Sequence, residues 1–475
     1  MRAALGLAML AGFFVLAVAL FTGFGWAAFT LFQRGEIKGG VLLAVLALTV
    51  GGSPLLAMAL AMWVTPRPEG VALTRATHPE LWRHVDELAR VAGTRGPDDI
   101  RLVGNANASV WERNGTRYME LGLPFVAGMG IGELRSVLAH ELGHYGGGHT
   151  RVSALTHRAT LALRLTAERF DSLGVLYAWA RLYALVAASE SRKHEQFADE
   201  VAVAAAGREA ATRAMLRIGP VTEAWNDYLH WYVSLAAHAG RTPPLVEGFR
   251  AYLDHPRRVH RLRKLEPVLA EQEPTSVFDS HPPVRERVAA MRAFQPAAAG
   301  AVVVDAIDER PAHVLLDGTA PEQVADLVKV AGPPVAWEEL VAARAPELLR
   351  WNAEKLRHAG RVSKIGDTLG AVLTALEQGR LHDLTGRPVD ASLRTEQVHD
   401  AAVRVVTELL GCMVADQLVT AGRATPELNW GGLVRLRMPD GAAVYPDDLV
   451  EPAVRDANQV AGARARLRAL GLDGP

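Results

Sequence analysis

The chain has 475 residues, 49% of them hydrophobic, with 51 Lys and Arg set against 52 Asp and Glu. A balance this close to neutral gives no overall field to hold a nucleic-acid backbone, and the length allows two or three domains around a large core. Cys412 is the only cysteine, which excludes an intrachain disulfide and any zinc site built from thiolates, and suits a reducing compartment.

The N-terminus carries the strongest compositional signal. Leu5 to Phe32 and Val41 to Val64 are free of charge and apolar, separated by Arg34, Glu36 and Lys38. Each exceeds the ~20 residues that a helix needs to cross a bilayer, and the first is too long for the apolar part of a signal peptide. The expectation is a two-helix membrane hairpin over residues 1–66, with the lipid bilayer as a partner. Two crossings place the N-terminus and everything after Val64 on one side. The basic residues flanking the spans give little asymmetry, and the cysteine usage, together with a resemblance given below, favours a cytoplasmic location for the rest of the chain in a multi-pass protein of the cell membrane.

After TPRPEG at 65–70, a helical pattern runs through Leu81, Val85, Leu88 and Val91, and IRLV at 100–103 reads as a strand. SVWERNGTRYMEL then holds two strand-like runs joined by Asn114-Gly115, the dipeptide suited to a two-residue hairpin turn. The sequons at Asn107 and Asn114 are taken as coincidental. An exposed edge of this hairpin, Thr116 to Leu121, is expected to pair with an extended peptide.

Leu134, Val137, Leu138, Leu142 and Tyr145 recur at helical spacing around LAHELGHYGGGHT at 138–150. Within it HELGH is an HExxH pattern: His140 and His144, at i and i+4, project from one side of a helix and can share a metal ion, while Glu141 lies beside it as a base for water. The expected cofactor is one Zn2+ per chain. His149 resembles a third histidine but is one residue out of register, with Thr150 in its place. The other solution is SRKHEQFADEVA at 191–202, where Glu195 and Asp199 share a helix face with Ala198 and Ala202. Small residues would let this helix approach the first, so that Glu195 ligates the metal and Asp199 accepts a hydrogen bond from a ligating imidazole. Glu195 is the expected third ligand and His149 the alternative.

Leu173 to Ser189 is apolar but short for a span and contains Arg181; a core or membrane-apposed helix is expected there. The basic run Arg257, Arg258, Arg261, Arg263 and Lys264 lacks interleaved aromatics, and reads as a solvated helix face or a lipid-headgroup contact and not a nucleic-acid groove. FDSHPPVRER presents His281 before two prolines that restrict the backbone. An imidazole donor held there could stabilise an oxyanion, whereas the structural reading is a turn before a helix. Beyond QPAAAG at 295–300 the pattern gives helices near 336–358, 366–379, 395–421 and 454–470, with a hairpin around MPDG at 438–441.

Three segments in this order, AHELGH at 139–144, SRKHEQFAD at 191–199 and SHPPVRERV at 280–288, resemble the zinc metalloendopeptidases that include the bacterial heat-shock membrane protease HtpX and the eukaryotic CAAX prenyl endopeptidase. The resemblance covers roughly residues 70–295. It implies a gluzincin-type fold, Glu195 as a zinc ligand, His281 at the active site, Asn107 near the substrate cleft, and a role in removing damaged or unfolded membrane proteins. The expected fold is mainly α with some β: a membrane hairpin (1–66), a zinc metalloprotease domain with a small hairpin-bearing sheet (67–298) and a mostly helical C-terminal module (299–475). The rival expectation is a membrane-tethered scaffold with a structural zinc site closed by four protein ligands.

Overall fold

Apolar sequence without a proline folds into one long helix at the start of the chain, α1 (Arg2–Gln33), in the computed structural model. The structure describes residues 2–53, 55–56, 67–146, 175–271, 282–294, 308–386, 395–432 and 434–472. Gly35, at φ 77, turns the chain into α2 (Ile37–Leu46), which continues as a π-helical turn over Ala47–Gly52. The two arms touch through glycine: a Cβ at Gly51 would lie 2.5 Å from the backbone nitrogen of Phe21. Outward-facing Val15, Trp26, Phe29 and Leu42 leave an apolar surface of the kind that marks a membrane or protein contact. Among the described residues one helical stretch, Ala11–Gln33, is long and apolar enough to cross a membrane, a property signal sequences share; Ile37–Gly52 is apolar but shorter.

The described chain forms two compact units. In the first, Met1–Glu223 with Leu262–Thr319, the helix α3 (Pro79–Val91) begins on proline, carries Glu80 in its first turn and buries Leu81, Trp82, Val85 and Leu88 at the expected spacing. Four strands follow the order β1-β2-β4-β3: β1 (Val71–Ala72), β2 (Asp99–Val103), β3 (Ala108–Arg113) and β4 (Thr116–Gly122). Asn114 and Gly115, at φ 52 and 82, make the tight turn between β3 and β4, as the dipeptide predicts. The pairing partner of β2 is β4, in parallel register from Asp99↔Tyr118 to Val103↔Gly122. This corrects the expected substrate edge: Thr116 to Leu121 lies inside the sheet, and the edge strand is β3.

After α4 (Leu123–Gly128), α5 (Ile131–Gly146) packs beneath the sheet and against α6 (Val175–Ala206). One 32-residue helix thus holds both the described part of the apolar stretch at 173–189 and the acidic motif at 191–199. Gly207, at φ 85, turns the chain into α7 (Arg208–Tyr228). The segment 308–319 belongs to this unit too. Ala312 N–H donates to the Met129 carbonyl at 3.0 Å, and Ile131 N–H to that of Arg310 at 2.8 Å.

The second unit, Ala224–Arg261 with Ala320–Pro475, is organised by aromatic rings. Trp225, Tyr228, Tyr232, Phe249, Tyr252, Trp337 and Trp430 form one contiguous cluster, with Trp225 to Phe249 at 4.8 Å and Tyr232 to Trp430 at 4.9 Å between centroids. It ties the short helices α8 (Ser234–Ala239), α9 (Leu245–Asp254) and the start of α10 (Pro256–Glu271) to the C-terminal part. Composition placed a boundary at 298/299; packing instead assigns 224–261 to the second unit, where its aromatic residues join Trp337 and Trp430. The C-terminal helices fall where periodicity put them, with Trp337–Val362, Leu369–Glu377, Thr395–Thr420 and Val460–Ala469, joined by Pro446–Arg455 and the antiparallel strands Thr425–Leu428, Val434–Arg437 and Ala443–Val444.

The basic run is a solvated face only in part: Arg263 and Lys264 are exposed, whereas the arginines before them are engaged. Arg258 is buried, donates from Nε to the Trp430 carbonyl at 2.9 Å and lies over the Tyr252 ring. Arg257 pairs with Asp448 and covers Tyr445, and Arg261 pairs with Asp227 at 3.0 Å. Paired guanidiniums over aromatic faces are a use of arginine that a one-dimensional charge count misses.

Gly248 carries a testable consequence. A Cβ there would collide with Trp337 Nε1 and lie 2.5 Å from the Tyr228 hydroxyl, two groups already committed to the carbonyls of Pro244 and Leu245. Gly248→Ala is expected to destabilise this unit by roughly 1–3 kcal/mol through overpacking. Near-UV circular dichroism during thermal unfolding should show the loss.

Candidate metal centre

The helix that carries HELGH is fixed at its start by a buried acid. Glu133 is 3% exposed, accepts the Gly130 N–H at 3.0 Å and pairs with Arg217 at 3.0 Å, while Arg217 also donates to the Gly128 carbonyl. Leu134, Leu138 and Leu142 anchor the buried side of the helix, which turns His140 and His144 together towards α6.

The two helices come close together at Gly143, where a Cβ would lie 2.8 Å from the Cα of Ala198. The approach brings three donor atoms together. His140 Nε2 and His144 Nε2 are 3.2 Å apart, and the Glu195 carboxylate lies 3.7 Å from each. Ligands bound at about 2.0–2.1 Å around a tetrahedral zinc stand about 3.3 Å from one another, so the spacing suits a small divalent ion. Glu141 stands beside the pair, and His140, Glu141 and His144 offer ligand atoms within 4.8 Å of one another.

A second layer holds these groups. Asp199 accepts from His140 Nδ1 at 3.1 Å, which leaves Nε2 directed at the gap. Arg287, from α11 (Val284–Ala293), closes on the same carboxylate through Nε at 2.9 Å and Nη2 at 2.6 Å; Nη2 also reaches 3.5 Å from Glu195 and 3.4 Å from both ring nitrogens of His140. Burial acts to raise the Asp199 carboxyl, but the hydrogen bonds from Arg287 and His140 and their charges outweigh it and hold the group below the usual carboxylate range. Arg287 shows the mirror effect. Burial works against its charge, and the bond to Asp199 with the fields of Asp199, Glu195 and Glu141 raises it.

Glu141, Glu195 and Asp199 all act on the Arg287 guanidinium, in a pocket where Glu195 and Asp199 are 4% and 5% exposed. Buried charge demands a partner, and a divalent cation between the ring nitrogens supplies it. The donor set fits the metal.

Asn107 stands immediately before the edge strand β3, its Nδ2 3.5 Å from Ser109 Oγ. His149 and His281 lie outside the described residues. Sequence reading missed Arg287, although it quoted the segment that contains it, because an arginine four residues beyond a prolyl pair reads as a surface position. Tyr145 was placed only in the apolar stripe. Its hydroxyl donates to the Val110 carbonyl of β3 at 3.0 Å and its ring lies under the Arg117 guanidinium, tying the end of the motif helix to the sheet edge.

The profile described as Peptidase family M48 matches residues 75–295, a span that contains both histidines, Glu195 and Arg287. Residues 75–295 belong to peptidase family M48. The M48 segment is therefore that of a metallopeptidase. No curated protein and no solved structure matches the chain.

Gly143→Val is expected to force α5 and α6 apart in the M48 segment, lowering the melting temperature and metal content together. Asp199→Asn keeps an acceptor for His140 but removes the charge held by Arg287. Its expected effect is a metal affinity lower by ~10- to 100-fold, read by competition with a chromogenic chelator. An unchanged affinity would make the Asp199 contact incidental.

Proposed function

We propose that this chain is a membrane-anchored zinc endopeptidase that hydrolyses extended segments of polypeptides, damaged or unfolded membrane proteins among them. The observation that carries the reading is the convergence of His140, His144 and Glu195 on one cation-sized gap with Glu141 beside it. His140, His144 and Glu195 would hold zinc, which when bound supplies a Lewis acid that polarises a carbonyl and acidifies water. Glu141 accepts the proton of the attacking water and delivers it to the leaving amine. Asp199 keeps the His140 ring in one tautomer and orientation, and Arg287 keeps Asp199 ionised.

The edge strand β3 offers its backbone to an extended peptide, which gives affinity with little dependence on sequence, and Asn107 marks the end of that strand at which the peptide enters or leaves. α1 is the anchor, and the apolar stretch 41–64 is its return span. Both ends then face the cytoplasm, where a lone cysteine is at home. His281 is assigned to oxyanion stabilisation.

With casein as substrate, Glu141→Gln should lower cleavage by ~10² to 10⁴ while bound zinc stays near one per chain. Loss of zinc from that variant would make Glu141 a ligand and sink the assignment; cleavage that survives a chelator in the parent chain would sink the metal. His281→Ala should lower kcat by ~10² to 10³ with zinc content intact. Topology has its own test in a Cys412→Ser background, where an impermeant maleimide applied to intact cells should label a cysteine placed at Gly35 and spare one placed at Gly474.

A further inference from the structure

Side chains on β3 alternate between two unlike faces. Ala108 and Val110 share the face of Met119 and Leu121, which are fully buried. Ser109, Trp111 and Arg113 share the other with Tyr118 and Glu120, all of them only half-buried. On that outer face Trp111 and Tyr118 sit directly opposite in the register, their rings stacked at 4.5 Å between centroids and 22° between planes.

The position of this pair relative to the metal ligands is fixed. Tyr145 follows His144 in the chain, and its hydroxyl holds the carbonyl of Val110, the residue before Trp111. Arg117, buried beneath β4, lies 4.4 Å from the Tyr145 ring centroid and prevents the ring from swinging away. An aromatic surface on the edge strand is thereby locked one residue from a tether to the zinc-binding helix.

On the peptidase reading above, we propose that the Trp111–Tyr118 pair selects substrates, by receiving a bulky apolar or aromatic side chain of the extended peptide that lies along β3. A peptide added to a sheet edge alternates its own side chains, so every second one passes over the outer face, where Ser109 and Arg113 are polar and the ring pair is the apolar station. The rings are large and mutually braced, so a contact with them orders little that is not already ordered. The substrate class is a polypeptide that exposes a normally buried aromatic or large aliphatic residue at one fixed distance from the scissile bond. The competing account is a cross-strand pair that only stabilises the hairpin.

Cleavage-site profiling separates them. The parent chain, Trp111→Phe and Trp111→Thr digest unfolded casein, and the products are sequenced by mass spectrometry; threonine is chosen because it keeps strand propensity. Sites cut by the parent chain and by Trp111→Phe should be enriched in Phe, Tyr, Trp or Leu at one fixed position, and Trp111→Thr should lose that enrichment. In parallel, zinc-loaded Glu141→Gln is titrated with two fluorescent peptides that differ by Phe against Ser at the enriched position, or at each position in turn if no site is cut. The Phe peptide should bind roughly tenfold tighter, a preference abolished by Trp111→Thr. Equal enrichment in Trp111→Thr and parent digests, or equal binding of the peptide pairs, overturns the proposal. A parent chain that cuts nothing yet binds the Phe peptide selectively through Trp111 sinks the peptidase reading and leaves this one standing.

Discussion

The cost of burying Glu195 and Asp199 beside each other governs the catalytic half of the molecule. Two carboxylates almost sealed from water repel one another, and the Arg287 guanidinium is shared between them, nearer to Asp199 than to Glu195. A cation is favoured beside them where two imidazole nitrogens frame a gap sized for a divalent ion. Everything else at the site serves that gap. Glycine at 143 and alanine at 198 remove the side-chain bulk that would keep the helices apart, Glu133 fixes the start of α5, and Met291 of α11 packs against Val203 and Ala211 so that Arg287 is delivered to Asp199.

The parts of this arrangement legible in the sequence are those with local periodicity. HELGH sits on a helix because Leu134, Leu138 and Leu142 recur every four residues, and Glu195 and Asp199 share a face for the same reason. Asn114-Gly115 fixes the hairpin through backbone conformations that few other dipeptides adopt. What periodicity cannot carry is partner choice between distant segments. Arg287 meets His140 across 147 residues of chain, and β4 pairs with β2 across the top of a hairpin that, alone, would leave either of its strands at the edge. The expected substrate edge was wrong for that reason: the local signal located a hairpin, and the parallel pairing that buries one of its strands is a tertiary event.

Charge and composition misled in a similar way further on. Five basic residues in eight positions of a helix look like a solvated stripe until Tyr252 and Trp430 are placed against Arg258 and Asp448 against Arg257. The Ala/Gly-rich segment at 295–300 looked like a domain boundary because low complexity marks a loop; a domain, however, is defined by where its core closes. The aromatic cluster of the second unit closes over residues 224–261 and draws them into the C-terminal fold, so the chain contributes to each unit twice.

A metallopeptidase must do two unlike things with one sheet and one helix: hold an ion whose geometry tolerates little error, and accept peptides whose sequence it does not know. The tether between Tyr145 and Val110 reconciles these demands. Backbone pairing along β3 is indifferent to side chains and would let a peptide slide in steps of two residues without losing a hydrogen bond. Sliding is harmless to affinity but ruinous to catalysis, since only one register presents a peptide bond to Glu141. A strand held at a fixed distance from His144, bearing one apolar station on an otherwise polar face, breaks that degeneracy. On the proposed reading, the station sets the register, the edge supplies the affinity, and the rigid helix behind them keeps the reacting atoms where both agree.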